Sequence, residues 1–226
     1  MTRRILRFES VDSTQRAAAG EPLGTVIVAS QQTAGQGRHG HGWHSEAGTG
    51  IYCSMVLEPS PLLTLALGLA ARQAISETTG LVCDLRWPND LMLGGKKTGG
   101  ILVELASGRA IAGIGINVNQ RTFPAELASE ATSLRIHTGQ EACATDILNA
   151  LIPAVEAIIK EDKETILRLF TQASSYAAGR RVIVQQPNGV IHGTTVGLDP
   201  DGFLVVRQDD GTDTLILAGG VRAAGS

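Results

Sequence analysis

The pattern of this chain changes after Gly179, and this change restricts the fold more than any other feature of the sequence. Short β-branched runs at 182–185, 190–198, 203–207 and 214–217 then alternate with the turn sequences Pro187-Asn188-Gly189, Pro200-Asp201-Gly202 and Asp210-Gly211. Turn signals at this spacing indicate a small antiparallel barrel. We therefore predict two domains, residues 1–177 and residues 178–226, with the boundary near 177–180.

The residues before Gly179 mix strands and helices, which predicts an α+β fold. Strands are expected over 5–8, 25–30, 51–57, 85–87, 91–93, 100–105 and 110–118, and helices over 16–19, 62–79, 147–160 and 165–176. The helix over 62–79 carries apolar residues at helical spacing and is followed by Gly80, a suitable residue after a helix end. Asp12, Ser13 and Thr14 offer N-cap side chains for the first helix.

Composition limits the class of protein. The formal net charge is −3, which argues against a dedicated nucleic-acid binder because such domains carry a basic excess. The three cysteines are far apart, so they predict neither a disulfide framework nor a zinc site and suit a reducing compartment. The longest apolar run, 62–71, is about half of a membrane span, and no apolar stretch follows the first arginines as in a secretory signal. We expect a soluble, cytoplasmic protein.

A glycine-rich segment over 31–43 is a candidate ligand-binding loop. Its glycines would let the backbone approach a ligand and form an anion nest, Arg38 could pair with phosphate or carboxylate, and Trp43 could stack on a flat ring. The alternative is a flexible surface loop. No Gly-Lys-Ser/Thr follows, so the segment is not a P-loop.

Three histidines in or beside this loop, His39, His41 and His44, could suggest a metal site. No cysteine or second ligand group accompanies them at a recognised spacing. We therefore favour histidines that face a substrate or solvent over metal ligands.

Three further segments each allow a functional and a structural interpretation. The segment 86–90 (Arg-Trp-Pro-Asn-Asp) fits a ligand wall or a simple turn. In 96–104, Lys97 before two glycines could place a fixed ammonium in a cleft, or it could be a solvated hairpin lysine. In 113–119, glycines within a strand suggest close approach of a ligand or another backbone.

Taken in order, these segments resemble the catalytic domain of biotin protein ligases. The matching blocks are Asp12-Ser13-Thr14, Gln32-Thr33-x-Gly35-x-Gly37-Arg38-x-Gly40-x-x-Trp43, Trp87-Pro88-Asn89-Asp90, Lys97-x-Gly99-Gly100-Ile101-Leu102-x-Glu104 and Gly115-Ile116-Asn117-x-Asn119. The match runs from about residue 10 to 119 and continues weakly through 131–134. The resemblance implies a mixed sheet with flanking helices, followed by a small SH3-like barrel.

The resemblance also implies an activity and its residues. Family members use MgATP to form biotinyl-5′-AMP and pass biotin to a lysine of a biotin carboxyl carrier domain. By the same matching, the catalytic residues are Lys97, Arg38 and Asp90, the last to orient or deprotonate the incoming lysine. Biotin contacts are implied for Ser13, Thr14, Gln32, Gly35, Arg38, Tyr52, Lys97, Gly100 and Leu102. ATP contacts are implied for Gly37, Arg38, His39, Trp43, Asn89, Lys97 and Asn117, with Mg²⁺ carried by ATP near Asn117 and not held by protein ligands of its own.

The chain departs from the family pattern at two points. Gln36, His39 and His41 stand where many bacterial members have arginines, so we expect weaker or pH-sensitive ligand retention. Only about ten residues precede Asp12, so we expect an enzyme without a DNA-binding domain or repressor role. Neither DNA nor a membrane is an expected partner, and the chain could be a monomer or a homodimer. The alternatives are a lipoate or octanoate ligase and a non-catalytic biotin- or adenylate-binding module.

Overall fold

A computed structural model describes residues 4–186 and 189–224. The first two residues of the predicted turn at 187–189 lie outside the described residues. The chain forms strands β1 (Arg4–Val11), β2 (Thr25–Gln32), β3 (Gly50–Leu57), β4 (Asp84–Arg86), β5 (Asp90–Leu93), β6 (Lys96–Ala106), β7 (Arg109–Asn117), β8 (Ala178–Gln186), β9 (Gly189–Leu198), β10 (Leu204–Gln208), β11 (Asp213–Ile216) and β12 (Gly220–Ala223). The helices are α1 (Thr14–Ala18), α2 (Leu63–Thr79), α3 (Leu134–Thr138), α4 (Ala144–Ile158) and α5 (Lys163–Ala173).

Strands β1 to β7 form one mixed sheet in the order β1-β2-β3-β7-β6-β5-β4. Strand β1 pairs parallel to β2, and every other pairing is antiparallel. Strands β5 and β6 form a hairpin through Gly94-Gly95, and β6 and β7 form a second one through Ser107-Gly108. The predicted mixed sheet of an α+β fold is confirmed.

The two faces of this sheet have different surroundings because side chains alternate along a strand. On one face, Ala112, Ile114 and Ile116 of β7 pack in the main core with residues of α2 and α4. On the other face, Ile111 packs in a small cluster with Ala18 of α1, and the next positions facing the same way are Gly113 and Gly115. The glycines leave room above β7 on the face opposite the long helices, and this is the face that carries the candidate site.

The helices differ from the predicted ones mainly at their ends. Helix α2 ends at Thr79, and Gly80 adopts a left-handed conformation with φ of 72° as predicted. Helix α4 begins three residues before the predicted start and contains Pro153. Ser13 is the N-cap residue of α1, which is one of the three positions predicted. Its side chain makes no capping hydrogen bond, contrary to the prediction. Helix α3 and strand β12 lie outside the predicted elements.

The remaining strands form a five-stranded antiparallel sheet in the order β11-β10-β9-β8-β12. The predicted small β-rich unit is therefore present, although in residues 4–186 and 189–224 no pairing between β11 and β12 closes it into a barrel. The indole Nε1 of Trp87 donates a hydrogen bond to the Gly202 carbonyl at 2.9 Å, and one hydrophobic cluster contains residues of both sheets. Division of the chain at residue 177 stays a prediction.

Within the described part of the chain, no helix is both long enough and apolar enough to cross a membrane.

Candidate active site

A cleft of about 1190 Å³ lies over the glycine positions of β6 and β7. Its walls come from α1, the glycine-rich loop, the turn between β4 and β5, the segment 123–131 and the β12 end of the second sheet. Pockets for one small ligand commonly measure about 300–1,000 Å³, so this cleft is larger than most sites for a single small ligand.

A β-bulge places Lys97 in the cleft. Asp90 of β5 is opposite Gly100 of β6, but two residues further along β5 Met92 is opposite Lys97, because the register shifts after Leu91. Without this shift Lys97 would point to the face opposite Gly100, since a one-residue change of register reverses side-chain direction. The backbone of Lys97 also bonds to the segment between β7 and α3. Its N–H donates to the Glu130 carbonyl at 2.8 Å, and its carbonyl accepts from the Thr132 N–H at 2.9 Å.

Asp90 holds the Lys97 ammonium. Lys97 Nζ lies 2.6 Å from Asp90 Oδ1, and Arg86 Nη2 lies 2.7 Å from Asp90 Oδ2. The Asp90 side chain is only 12% exposed. Burial alone would raise the pKa of Asp90, but the charges of Lys97 and Arg86 and their hydrogen bonds outweigh it and lower the pKa below its usual value. Asp90 is therefore an ionised counter-charge with low basicity.

The glycine-rich loop closes on itself as a short hairpin over the cleft. Gly37 N–H donates to the His41 carbonyl at 2.7 Å, and Trp43 N–H donates to the Gly35 carbonyl at 2.9 Å. At the tip, one turn of 3₁₀ helix covers Arg38–Gly40, and His39 has a positive φ of 56°, which is uncommon for a residue other than glycine. The loop thus lines the cleft along its length, with Arg38 as its fixed cation.

Arg38 connects this loop to the opposite wall. Its Nη1 donates to Asn89 Oδ1 at 3.0 Å, and Asn89 Nδ2 in turn donates to the Ile101 carbonyl at 3.0 Å. Burial lowers the pKa of Arg38 while the Asp90 charge opposes that effect, and the guanidinium stays charged because its ordinary pKa is so high. Arg38 can therefore give a fixed positive charge to an anion beneath the loop.

Trp43 covers the glycines on the floor of the cleft. A Cβ at Gly115 would lie 2.5 Å from the indole, and one at Gly100 would lie 3.1 Å from it, so only glycine at these two positions leaves room for the ring. Lys97 Nζ lies 5.5 Å from the centroid of Trp43, within range of a cation–π contact. Among the described residues, the indole Nε1 is buried without a hydrogen-bond partner, which leaves a donor available to a ligand.

The inner end of the cleft is polar. Thr14 donates to Gln32 Oε1 from its N–H at 2.8 Å and from its hydroxyl at 3.0 Å. Gln32 Nε2 donates to Ser45 Oγ at 2.9 Å, and Ser45 Oγ donates to the Trp43 carbonyl at 3.1 Å. The Tyr52 hydroxyl donates to the Glu46 carbonyl at 3.0 Å, and burial raises the pKa of this phenol. Thr14, Gln32 and Tyr52 therefore offer neutral hydrogen-bonding groups to a ligand that reaches this end.

Most residues predicted from the motifs meet in this cleft. Its walls include Thr14, Gln32, Gly37, Arg38, His39, Trp43, Tyr52, Asn89, Asp90, Lys97, Gly100, Leu102 and Asn117. Two predicted residues do not line it: Ser13 is fully buried, and Gly35 is packed against the Trp43 carbonyl, where a Cβ would be 2.7 Å away. Their contact with a ligand stays a prediction.

Several residues on the cleft received no role from the sequence. Arg86 is the second partner of Asp90, Gln15 lies next to Thr14 at the inner end, and Arg222 of β12 reaches the mouth. Arg222 pairs with Glu130 at 3.2 Å. Arg86 and Gln15 each adjoin a recognised motif, which is a usable signal. The position of Arg222 depends on how the two sheets pack, and no motif indicates it.

Comparison with known proteins agrees with this geometry. Residues 8–120 match the model of the biotin/lipoate A/B protein ligase family, and residues 178–221 match the biotin protein ligase C-terminal domain. A bifunctional ligase/repressor of Bacillus subtilis is 33% identical over 96% of this chain and 74% of its own length. A biotin–[acetyl-CoA-carboxylase] ligase of Mycobacterium tuberculosis is 33% identical over 93% of this chain and 83% of its own length.

A solved structure extends the likeness to the whole fold. The biotin protein ligase of Aquifex aeolicus, determined in complex with biotin and ATP, superposes with a TM-score of 0.89 and 32% identity, covering 98% of this chain and 99% of that one. The fold, the cleft and both sequence matches lead to one conclusion: the chain belongs to the biotin/lipoate A/B protein ligase family, as a member of its biotin protein ligase branch.

Proposed function

We propose that this protein is a biotin protein ligase, which activates biotin with MgATP to biotinyl-5′-AMP and transfers biotin to a lysine of a biotin carboxyl carrier domain of a carboxylase. The observation that carries the proposal is the position of the Lys97 ammonium. It is held by Asp90 at the junction between the polar inner end of the cleft and the region beneath the glycine-rich loop. Two anionic substrates that meet there need a fixed cation between them.

In the first half-reaction, a carboxylate oxygen of biotin attacks the α-phosphorus of ATP, and pyrophosphate leaves. Both reactants are negative, so Lys97 and Arg38 stabilise the approach and the charge that develops on the phosphate. The nucleotide would contact Gly37, His39, Trp43, Asn89 and Asn117, with Trp43 against the adenine. The loop would lie over the product and keep water from the mixed anhydride.

Biotin would occupy the polar inner end of the cleft. Its ring system would meet Ser13, Thr14, Gln32, Gly35 and Tyr52, and its acyl chain would run along Gly100 and Leu102 toward Lys97. Neutral donors and acceptors suit a ureido ring, which is polar but uncharged, and burial of such a group requires hydrogen-bond partners. This end of the cleft is a poor environment for the apolar end of lipoate or octanoate.

Magnesium fits this site as the counter-ion of ATP. Within residues 4–186 and 189–224, no group of three or more histidine, cysteine or acidic side chains could hold a metal ion. Mg²⁺ is commonly bound through substrate phosphates with few protein ligands. Asn117 lies on the cleft wall, where its amide could support the hydrated ion or the phosphates.

In the second half-reaction, the neutral amine of the carrier lysine attacks the acyl carbon of the adenylate, and AMP leaves. The family resemblance makes Asp90 a candidate to orient or deprotonate that lysine. Its lowered pKa makes it a weak base near neutrality, because a general base works best with a pKa near the working pH. We assign Asp90 the role of holding Lys97 in place.

The C-terminal sheet would help to close the cleft. Gln185 and Arg222, among other residues of that sheet, line the cleft mouth, which supports a role in nucleotide closure or in docking of the carrier. This assignment uses the division into 1–177 and 178–226.

We also propose a cytoplasmic location, since carboxylases and ATP are found there.

The test is biotin-dependent exchange of pyrophosphate into ATP, with lipoate and octanoate as parallel acids. Exchange with biotin alone is expected, whereas exchange with lipoate or octanoate instead would assign the chain to the lipoate side of the family. Lys97→Ala should remove exchange while biotin binding persists. The matched control is Lys96→Ala, because the neighbouring Lys96 is exposed and its ammonium donates to the Ala128 carbonyl outside the cleft. A folded wild-type protein that binds biotin without any exchange would indicate a binding module.

A further inference from the structure

Arg86 stands at one end of a row of residues that crosses the sheet on its cleft face. Arg86 of β4 is opposite Asp90 of β5. Asp90 is in turn opposite Gly100 of β6, which is opposite Gly115 of β7. Directly opposed residues of neighbouring strands share a face of the sheet, so Arg86 faces the cleft. Lys97 reaches this row through the bulge, because a Cβ at Gly100 would lie 3.3 Å from its Nζ.

Arg86 binds one oxygen of Asp90 and leaves the other oxygen to Lys97. Its Nε and Nη2 donate to Asp90 Oδ2 at 3.1 Å and 2.7 Å, whereas Lys97 Nζ lies 2.6 Å from Oδ1. Asp90 and Lys97 by themselves would have no net charge, and Arg86 makes the group of three singly positive. When Lys97 turns toward an anionic ligand, Asp90 keeps a cationic partner and is not left as an unpaired buried charge, which would be strongly unfavourable.

The cleft has only a small excess of positive charge. With histidine counted as neutral, the glycine-rich loop over 31–43 contains one charged residue. Among the described residues, the cleft walls carry four cationic side chains and three carboxylates. The cations are Arg38, Arg86, Lys97 and Arg222, and the carboxylates are those of Asp90, Glu126 and Glu130. Loss of Arg86 would therefore leave these walls with no net charge toward two negatively charged substrates.

We propose that Arg86 is a positioning residue that keeps the Lys97–Asp90 pair positively charged and thereby sets the affinity of the cleft for MgATP. Arg86 acts through Asp90, to which its fork of N–H groups is bound. The property required at position 86 is the charge, because any cation beside Asp90 Oδ2 preserves the same sum. This inference rests on the proposed function, since it takes MgATP as the anionic ligand.

The experiment measures the affinity of the full chain for MgATP in two ways. Titration calorimetry without biotin gives the dissociation constant while no reaction occurs, and pyrophosphate exchange at saturating biotin gives KM for MgATP. Arg86→Gln keeps an amide donor near Asp90 but removes one unit of charge from a partly buried site, so MgATP should bind roughly tenfold more weakly. Arg86→Lys keeps the charge, so affinity should stay within about threefold of wild type.

A second substitution tests the charge directly. Asp90→Asn added to Arg86→Gln leaves Lys97 as the cation of the group, which is again singly positive. The affinity for MgATP should then return to within about threefold of wild type, although kcat should stay low because Lys97 has lost the carboxylate that holds it.

A purely structural role of Arg86 predicts the opposite results. If Arg86 only clamped the turn between β4 and β5, Arg86→Lys would be as impaired as Arg86→Gln, since lysine cannot reproduce the fork of an arginine. Removing the Asp90 charge as well would then not restore the affinity. Either result would overturn the inference.

Arg207→Gln is the matched control. Arg207 also pairs with an aspartate, since its Nε and Nη2 donate to Asp213 at 2.7 Å and 2.8 Å, but it does not line the cleft. This variant should bind MgATP like the wild type. An equal loss of affinity in Arg207→Gln would contradict a specific role of Arg86, because the affinity would then follow the total charge of the protein.

The outcomes separate this inference from the proposed function. A wild-type protein without biotin-dependent exchange would refute the proposed function itself. Normal wild-type exchange together with an unaffected Arg86→Gln variant would refute only the inference. If Arg86→Gln does not fold, as judged by thermal unfolding, Arg86→Lys and the double variant decide, because neither of them leaves the Asp90 carboxylate without a second cation.

Discussion

The ion-paired carboxylate of Asp90 allows a quantitative prediction about stability. Replacement by asparagine removes the negative charge between Lys97 and Arg86, whose side chains are 32% and 21% exposed. Loss of one partner from a fully buried ion pair costs about 3–5 kcal/mol. Solvent reaches both cations, so we expect a smaller cost of about 2 kcal/mol. For a chain of this size that cost corresponds to a melting temperature lower by roughly 4–8 °C.

The effect of Asp90→Asn depends on pH in a defined direction. Because the pKa of Asp90 is lowered in the folded protein, its contribution to stability is fully present above its ordinary pKa of 3.8 and is lost as the pH falls toward the folded-state pKa. The difference in melting temperature between wild type and Asp90→Asn should therefore be constant near neutrality and shrink as the pH falls below 3.8, the ordinary pKa of an aspartate.

Thermal unfolding followed by circular dichroism at several pH values measures this difference. The matched control is Asp213→Asn, since Asp213 also pairs with an arginine, Arg207 at 2.7 Å, but both side chains are about half exposed. Exposed pairs contribute little, so this variant should melt with the wild type. Equal melting of wild type and Asp90→Asn at neutral pH, or a difference that grows in acid, would refute the reasoning.

Two further predictions concern the floor of the cleft and the thiols. Gly115→Ala puts a methyl group 2.5 Å from the Trp43 indole, so the ring must leave the floor of the cleft. Tryptophan fluorescence should then shift to longer wavelength, and pyrophosphate-exchange activity should fall. An unchanged fluorescence spectrum would contradict the packing of Trp43 on Gly115. Burial raises the pKa of Cys53 and of Cys83 to about 12, while Cys143 is exposed. A thiol reagent at mildly alkaline pH should therefore modify Cys143 alone in the folded protein, because only a thiolate reacts. In denaturant it should modify all three cysteines. Rapid reaction of Cys53 or Cys83 before unfolding would count against this prediction.

The sequence by itself determined the order of the elements and most of the residues around the cleft. Periodicity and turn residues locate the main strands because a half-buried strand alternates and a turn needs glycine, asparagine or proline. The helix before Gly80 follows from the same reasoning. The motif blocks identify Arg38, Asn89 and Lys97 as neighbours of one ligand because each block has a known place in the family pattern. Residue periodicity, turn residues and family motifs can all be identified from the amino-acid sequence without a three-dimensional structure.

Only the tertiary structure decided how these residues face one another. The bulge that turns Lys97 toward Asp90 depends on the register between β5 and β6, and no single residue in either strand specifies that register. The hydrogen-bond contacts of Ser54 with Thr14 and with Gln15 join residues that are about forty positions apart. The direction of each of these hydrogen bonds depends on all the groups that share it. The physical reason is that side-chain direction, burial and proton sharing are set by contacts between distant segments, which form only when the sheet is assembled.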